Sequence, residues 1–271
     1  ERGTHKPEVS GSIPLPATKF LMKKNKHILI ENLLIKFPKL ADIFKRYIIR
    51  NNLGKFLKNF KKKNPINNVY DIGAYRGEWS QFYKKTSLKD SNFYLFEANY
   101  DNEFFLKQKN FKYFIDLLSD RRKDINFYSI KDSTGNSYYK ENTDYYENIT
   151  PIIRKSNTID LIVKDNNLPK PDLIKLDTQG SEIDIINGSL KSLENCKLIY
   201  IECPLTAKFN DNKLNLIDYL KFLENLNFIP QEICEIHYYG GYLTHVDILF
   251  IKKNFCEDCG LNLDLLKRFY E

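Results

Sequence analysis

Residues Asn67 to Ile72 are a short run of strand-forming side chains carrying an acid, Asp71, at its end, and they lead into Gly73-Ala74-Tyr75-Arg76-Gly77. A helix is expected from Glu78. Few chains can follow a strand with so tight a glycine turn and then a helix without building a β–turn–α unit. Gly73 lets the turn bend at positive φ, Gly77 lets the backbone be approached closely, and the helix N-terminus presents N–H groups without helical partners.

A second apolar run, Asn92 to Glu97, also ends on an acid, and it follows Gly77 by about the spacing of one β–α–β crossover. Two parallel strands would then each offer a carboxylate to one ligand. A dinucleotide-binding chain would carry G-x-G-x-x-G where Asp71 and Gly73 stand, and that pattern is absent. A carboxylate at Asp71 repels a pyrophosphate but suits a ligand bearing an ammonium and a sulfonium, which is S-adenosylmethionine. Glu97 is expected to accept its ribose hydroxyls.

The rest of the sequence alternates. Strands are expected near 67–72, 92–97, 112–117, 125–130, 172–177, 197–202, 228–234 and 245–251, and helices near 78–86, 100–108, 181–193 and 213–225. Such alternation implies an α/β fold with a mostly parallel sheet covered on both faces. Asp172-Leu-Ile-Lys-Leu-Asp177 reads as a buried strand ending in an acid, followed by Gly180 and a Ser181-x-x-Asp184 capping box. The helix after it is expected to bury Ile183, Ile186, Leu190 and Leu193. Residues 131–156 lack periodicity and hold Tyr138, Tyr139, Tyr145 and Tyr146, the texture of a functional loop or lid, or of a mobile surface loop.

Charge divides unevenly. Of the net +7, residues 22–63 carry +11, residues 1–21 carry +1, and residues 64–271 carry −5. The acidic core argues against a nucleic-acid groove. The basic stretch 22–64 has helical spacing at Ile28, Leu29, Leu33, Leu34 and Phe37, then again beyond Pro38 at Ile43, Phe44, Tyr47 and Ile48. It reads as a helical cap with a solvated basic face, or as a contact for an anionic membrane surface or acidic partner. Residues 1–21 are expected to be a foreign or disordered tail, with Met22 the native start. Residues 65–253 form the main domain and 254–271 a C-terminal tail or helix. No apolar run reaches the roughly 18–20 residues of a membrane span. Five cysteines, an odd number, fit a cytoplasmic protein, at most peripheral to the inner face of a membrane. Cys256-Glu-Asp-Cys259 has zinc-ligand spacing but no second pair, so it reads as two surface thiols.

The motifs Asp71-Ile-Gly-Ala-x-x-Gly, Phe96-Glu97-Ala98-Asn99, Lys175-Leu-Asp177-Thr-Gln-Gly180-Ser-Glu182 and Val246-Asp247-Ile-Leu-Phe250 occur in one order. In this the chain resembles the FkbM family of S-adenosylmethionine-dependent O-methyltransferases over roughly 67–253. It departs from the usual pattern at Tyr75, commonly Asn, at Ala98, commonly Pro, and at Gln179, commonly Glu. The resemblance implies the class I methyltransferase Rossmann-like three-layer sandwich, with an antiparallel last strand. It also implies a cofactor site of Asp71, Gly73, Ala74, Tyr75, Gly77, Glu97, Ala98, Asn99, Asp116 and Leu117. The implied acceptor is a hydroxyl of a sugar, glycan precursor or polyketide-type product.

A sugar hydroxyl is a poor nucleophile at neutral pH, so a base or a cation must help remove its proton. Asp177 leads as that base, with Glu182, Glu202 and His245 as competitors. Asp177 and Glu182 could also hold a divalent metal, although Gln179 removes a carboxylate from the group and the expected set of metal ligands is empty. The alternatives are a nucleic-acid methyltransferase, which lacks here an Asn/Asp-Pro-Pro-aromatic motif, a non-catalytic binding module of the same fold, and a nicotinamide oxidoreductase, which lacks its glycine pattern.

Overall fold

A computed structural model describes residues 52–142, 146–206 and 210–256, all within the compact unit Ile49–Glu271. The tail, most of the basic helical stretch, Cys259 and residues beyond 256 lie outside the described residues. In chain order, a helical run over 52–60 (α1) leads to β1 (Asn68–Ile72), α2 (Glu78–Thr86), β2 (Asn92–Glu97), α3 (Glu103–Lys107) and β3 (Lys112–Ile115). Then come β4 (Leu117–Leu118), β5 (Asp124–Phe127), β6 (Ile152–Asn157), α4 (Ile159–Asp165), β7 (Leu173–Leu176) and α5 (Glu182–Asn187). β8 (Leu198–Pro204), α6 (Leu216–Asn225), β9 (Phe228–Tyr239) and β10 (Tyr242–Lys252) complete the fold.

Seven strands form one sheet in the order β3-β2-β1-β7-β8-β10-β9. The five from β3 to β8 are parallel, and β10 runs antiparallel to both β8 and β9. The strand order reverses between β1 and β7, so the crevice at their carboxyl ends is the natural ligand position of an open α/β sheet. Side chains alternate between two cores. Tyr70, Ile72, Ile174, Leu176, Ile199 and Ile201 pack on one face with residues of α4, α5 and α6. Val69, Leu173, Leu198, Leu249 and Ile251 pack on the other with Leu53 and Leu57 of α1 and Tyr83 of α2.

That alternation carries the polar residues too. Asp71, Lys175, Asp177, Glu202 and Asp247 share the parity of Val69, Leu173, Leu198 and Leu249, so the period of two puts them on the second face at its carboxyl rim. β9 and β10 run longer than expected and join through Gly240 (φ 56°) and Gly241 (φ 83°). A two-residue turn with both φ positive matches the twist of a hairpin.

Several expectations are corrected. The helix expected over 181–193 stops at Asn187, where Gly188 caps it and turns its carbonyl to Asp160 N; a Cβ at Gly188 would sit 2.2 Å from the Ser119 carbonyl oxygen. Beyond that stop Leu190 is 45% exposed and not part of the core. The Ser181–Asp184 capping box does not form: Ser181 Oγ donates back to the Thr178 carbonyl, and Asp184 accepts from the Tyr138 and Tyr139 hydroxyls. These two tyrosines, with Ser137 donating to the Gln179 carbonyl and Tyr146 buried, tie the 131–156 stretch to the domain; Tyr145 lies outside the described residues. The stretch also contains most of β6, which pairs with β4 and β5 and went unforeseen. Cys256 is buried and not a surface thiol.

Candidate active site

The buried ammonium of Lys175 organises the carboxyl rim. It donates to the Gly73 carbonyl at 3.0 Å and lies 3.2 Å from Asp177 Oδ2 and 3.4 Å from Asp71 Oδ1. Burial alone would lower its pKa, but Asp177 and Asp71 outweigh that and raise it. Asp71 is fully buried and accepts from Ser80 Oγ of α2 at 2.6 Å. It faces the lysine beneath the turn, so its carboxylate is spent inside the protein.

The turn above it leaves no room for a side chain at either of its glycines. At Gly73, φ is 69° and a Cβ would lie 1.8 Å from the Asp177 carbonyl oxygen. Tyr75 also has positive φ, 49°. Gly77 has φ 70°, and the direction its Cβ would take points to Leu95 and Leu106, so packing between the turn and β2 requires glycine there. Ala74 is buried, and its N–H and that of Gly73 both donate to the Phe96 carbonyl.

Glu97, at the end of β2, accepts from Tyr75 N at 2.7 Å and Asn99 N at 2.8 Å. Burial raises its pKa against the pull of those donors. The Asn102 side chain is a third donor; a carboxylate has about four lone-pair positions, so acceptor capacity remains for a ribose hydroxyl while the same group fixes the turn. Asp116 follows β3 and accepts from Asn157, its pKa raised by burial; Leu117 beside it is buried. The Ala98 carbonyl accepts from Arg154, whose guanidinium lies 4.3 Å over the Tyr100 ring. Arg154, Tyr100, Ile115 and Asp116 line a cleft of about 410 Å³. Gly73, Tyr75, Glu97 and Asp116 thus meet along one rim, an arrangement that fits the ribose and amino-acid ends of S-adenosylmethionine.

From Asp177 the rim continues as a row of polar side chains, hydrogen-bonded on either side of one 4.0 Å gap between Glu202 and His237. Gln179, held at φ 56°, donates Nε2 to Asp177 Oδ1 at 3.2 Å and to Glu202 Oε2 at 2.8 Å. Glu202 Oε1 lies 4.0 Å from His237 Nε2, which is 2.9 Å from Asp247 Oδ1, and Tyr200 donates to Asp247 Oδ2 at 2.6 Å. Burial first, then Asp177 and Asp247, push the Glu202 pKa well up. His237 and Asp247 were not among the sequence candidates. Asp247 carries a signal in retrospect, as the one acid within the buried run Val246–Ile251.

Glu182 stands apart from this row. It is buried and accepts from Thr178 N and Oγ1, from Gly180 N and, at 2.8 Å, from the Tyr219 hydroxyl. It therefore holds the 178–180 turn, and burial raises its pKa. Glu202, His237 and Asp247 bring metal-ligand atoms within 4.8 Å of one another. Donors already occupy both carboxylates, Gln179 on one and Tyr200 on the other, so the set reads as a hydrogen-bond network. His245 is buried opposite His237 in the β9–β10 register, with its pKa pushed down to about 4 by burial and by His237.

Two predictions follow from these contacts. Lys175→Met leaves Asp71 and Asp177 without their cation, and should cost about 3–5 kcal/mol in urea unfolding; a loss below about 1 kcal/mol would refute the lysine's role. His245 binds its proton near pH 4 when folded but near 6.5 when unfolded. Between these values the unfolded state holds more protons, so stability is complete above about 6.5 and declines as pH falls toward 4. Melts of His245→Asn across that window should be flatter than wild type, and parallel curves would count against the assignment.

The family profile described as Methyltransferase FkbM domain matches residues 71–230, more than half of the 271 residues. Among solved structures, the chain is similar to methyltransferase FkbM from Methylobacillus flagellatus KT, at 14% identity over 68% of this chain and 43% of that one (TM-score 0.42). It is also similar to magnesium protoporphyrin IX methyltransferase from Synechocystis PCC 6803 with bound SAM, at 10% identity over 78% and 80% (TM-score 0.42). A third is TrmK of M. capricolum in complex with S-adenosylhomocysteine, at 10% identity over 73% and 67% (TM-score 0.37). The chain thus spans less than half the length of the FkbM structure. No curated protein matches it. By the profile match from the end of β1 to the start of β9, the chain belongs to the FkbM methyltransferase family.

Proposed function

We propose that this chain transfers a methyl group from S-adenosylmethionine to a hydroxyl of a sugar or glycan precursor. The observation that carries the acceptor class is the rim row from Gly73 through Lys175, Asp177, Gln179 and Glu202 to His237. A row of fixed donors and acceptors is suited to a polyhydroxyl compound, and the β9–β10 hairpin beyond it exposes Tyr238, Tyr239 and Tyr242. Bound S-adenosylmethionine supplies an electrophilic methyl carbon on sulfur. The protein's part is placement: Glu97 and the Tyr75 turn hold the ribose end, and Asp177, its side chain 41% exposed, orients the acceptor hydroxyl. An acceptor oxygen held about 3–3.5 Å from the methyl carbon, in line with the sulfur, gains much of its rate from position alone.

Methyl transfer from radiolabelled S-adenosylmethionine to a panel of nucleotide sugars, free glycans and tRNA tests the reading. Base-stable label in a sugar is expected, and label only in tRNA would refute it. Glu97→Ala should weaken S-adenosylmethionine binding by about 1.5–3 kcal/mol, the worth of charged hydrogen bonds. Asp177→Asn should bind the cofactor normally and turn over about 10²-fold more slowly. Unchanged affinity in a folded Glu97→Ala protein would remove Glu97 from the site.

A further inference from the structure

We propose that His237, held by Asp247, is the group that takes the proton from the acceptor hydroxyl. The inference rests on the methyl-transfer reading above and names a residue for a step that reading leaves open.

The geometry begins with the hairpin. A two-residue turn at Gly240–Gly241 would set Tyr239 opposite Tyr242 and, counting on, His237 opposite Thr244. In the structure the register slips by one residue: Tyr238 faces Leu243, but His237 faces His245. Thr244 is the extra residue of this bulge; its hydroxyl donates to the His237 carbonyl, and its own carbonyl accepts from Leu205 N. A slip of one inverts which face a strand's side chains take. Without it His237 would share the parity of Thr244 and lie on the face opposite Asp247. With it, the two meet at 2.9 Å at the rim. Bulges commonly re-aim a side chain beside a site.

The other candidates are committed elsewhere. Asp177 accepts Lys175 and Gln179, one on each oxygen. Glu202 accepts Gln179, Glu182 holds its turn, and His245 is buried. The His237 side chain is 35% exposed, which leaves a route for a proton to solvent. The tautomer with hydrogen on Nε2 donates to Asp247 and leaves Nδ1 as the acceptor. Tyr200, on the other Asp247 oxygen, fixes the carboxylate.

In the step, His237 Nδ1 takes the hydroxyl proton while the oxygen bonds to the methyl carbon. The carbon–sulfur electron pair leaves with the thioether, and the imidazolium then loses its proton to water. Charged groups facing the ring are Asp247 on β10, Glu235 on its own strand, Asp177 after β7 and Glu202 on β8, with His245 opposite. Burial lowers the His237 pKa, but Asp247 and then Glu235 and Asp177 carry it above the ordinary value.

The chain has four histidines, so nitrogen-15 histidine spectra of the full chain, assigned with His237→Gln, read the tautomer and titration directly. The expected result is an Nε2–H tautomer titrating above the ordinary histidine value and dropping in Asp247→Asn. An Nδ1–H tautomer, or a titration indifferent to Asp247→Asn, would overturn the proposal. So would a shift of the His237 signals by Mg²⁺ that EDTA reverses, which would make the group a metal site. Turnover is then read with tritiated S-adenosylmethionine and a pool of nucleotide sugars. His237→Gln should lower kcat by about 10²–10⁴-fold and abolish the low-pH limb, with S-adenosylhomocysteine affinity unchanged by calorimetry. Near-normal kcat with the limb intact would return the base to Asp177. A wild type that binds S-adenosylhomocysteine but labels nothing in the pool refutes the sugar reading instead, and the histidine spectra still decide the dyad.

Discussion

The ammonium of Lys175 is the contact on which the rim depends. It is buried, so its charge survives only because Asp71 and Asp177 stand within 3.4 Å and the Gly73 carbonyl accepts a hydrogen bond from it. Those three partners come from β1, the turn after it and the end of β7. One lysine therefore ties together the two strands between which the sheet reverses its order. It also explains why Asp71 is an acid although it never reaches the surface: its charge is needed below the turn, where Ser80 of α2 supplies the second donor.

The polar residues of the rim fall into two groups with different duties. Asp177 and Glu202 belong to the Lys175 side and are joined by Gln179. Glu182 turns the other way, to Tyr219 of α6, and supports the turn from which Gln179 projects. A glutamine donates to two carboxylates at once, whereas a glutamate at the same position would add a third negative charge beside them. The Gln179 side chain thus lets Asp177 and Glu202 sit close without a cation between them.

Much of this was legible in the sequence. The positive φ at Gly73, the acids ending β1, β2 and β7, and the parallel order follow from local rules that act within a few residues. What stayed hidden has a physical reason in each case. β6 buries Arg154 and Ser156 and exposes Ile153 at 75%, so its apolar pattern is inverted and no periodicity test would find it. α4 has only seven residues, too few for a helical period to stand out. Leu190 kept the helical spacing, but the helix ends first, at Gly188, whose carbonyl accepts from Asp160 N. His237 and Asp247 are brought together by a single bulged residue, and a bulge leaves no mark in hydrophobic spacing.

The central claim is that the crevice above Lys175, at the β1–β7 reversal, is where the methyl donor binds. A crystal structure of the chain grown with S-adenosylhomocysteine tests it most directly. The account predicts a ribose hydroxyl on the Glu97 carboxylate and the sulfur facing the Asp177 side of the rim, with the Lys175 contacts intact. The ligand seated away from the Gly73 turn, or its ribose turned from Glu97, would contradict it.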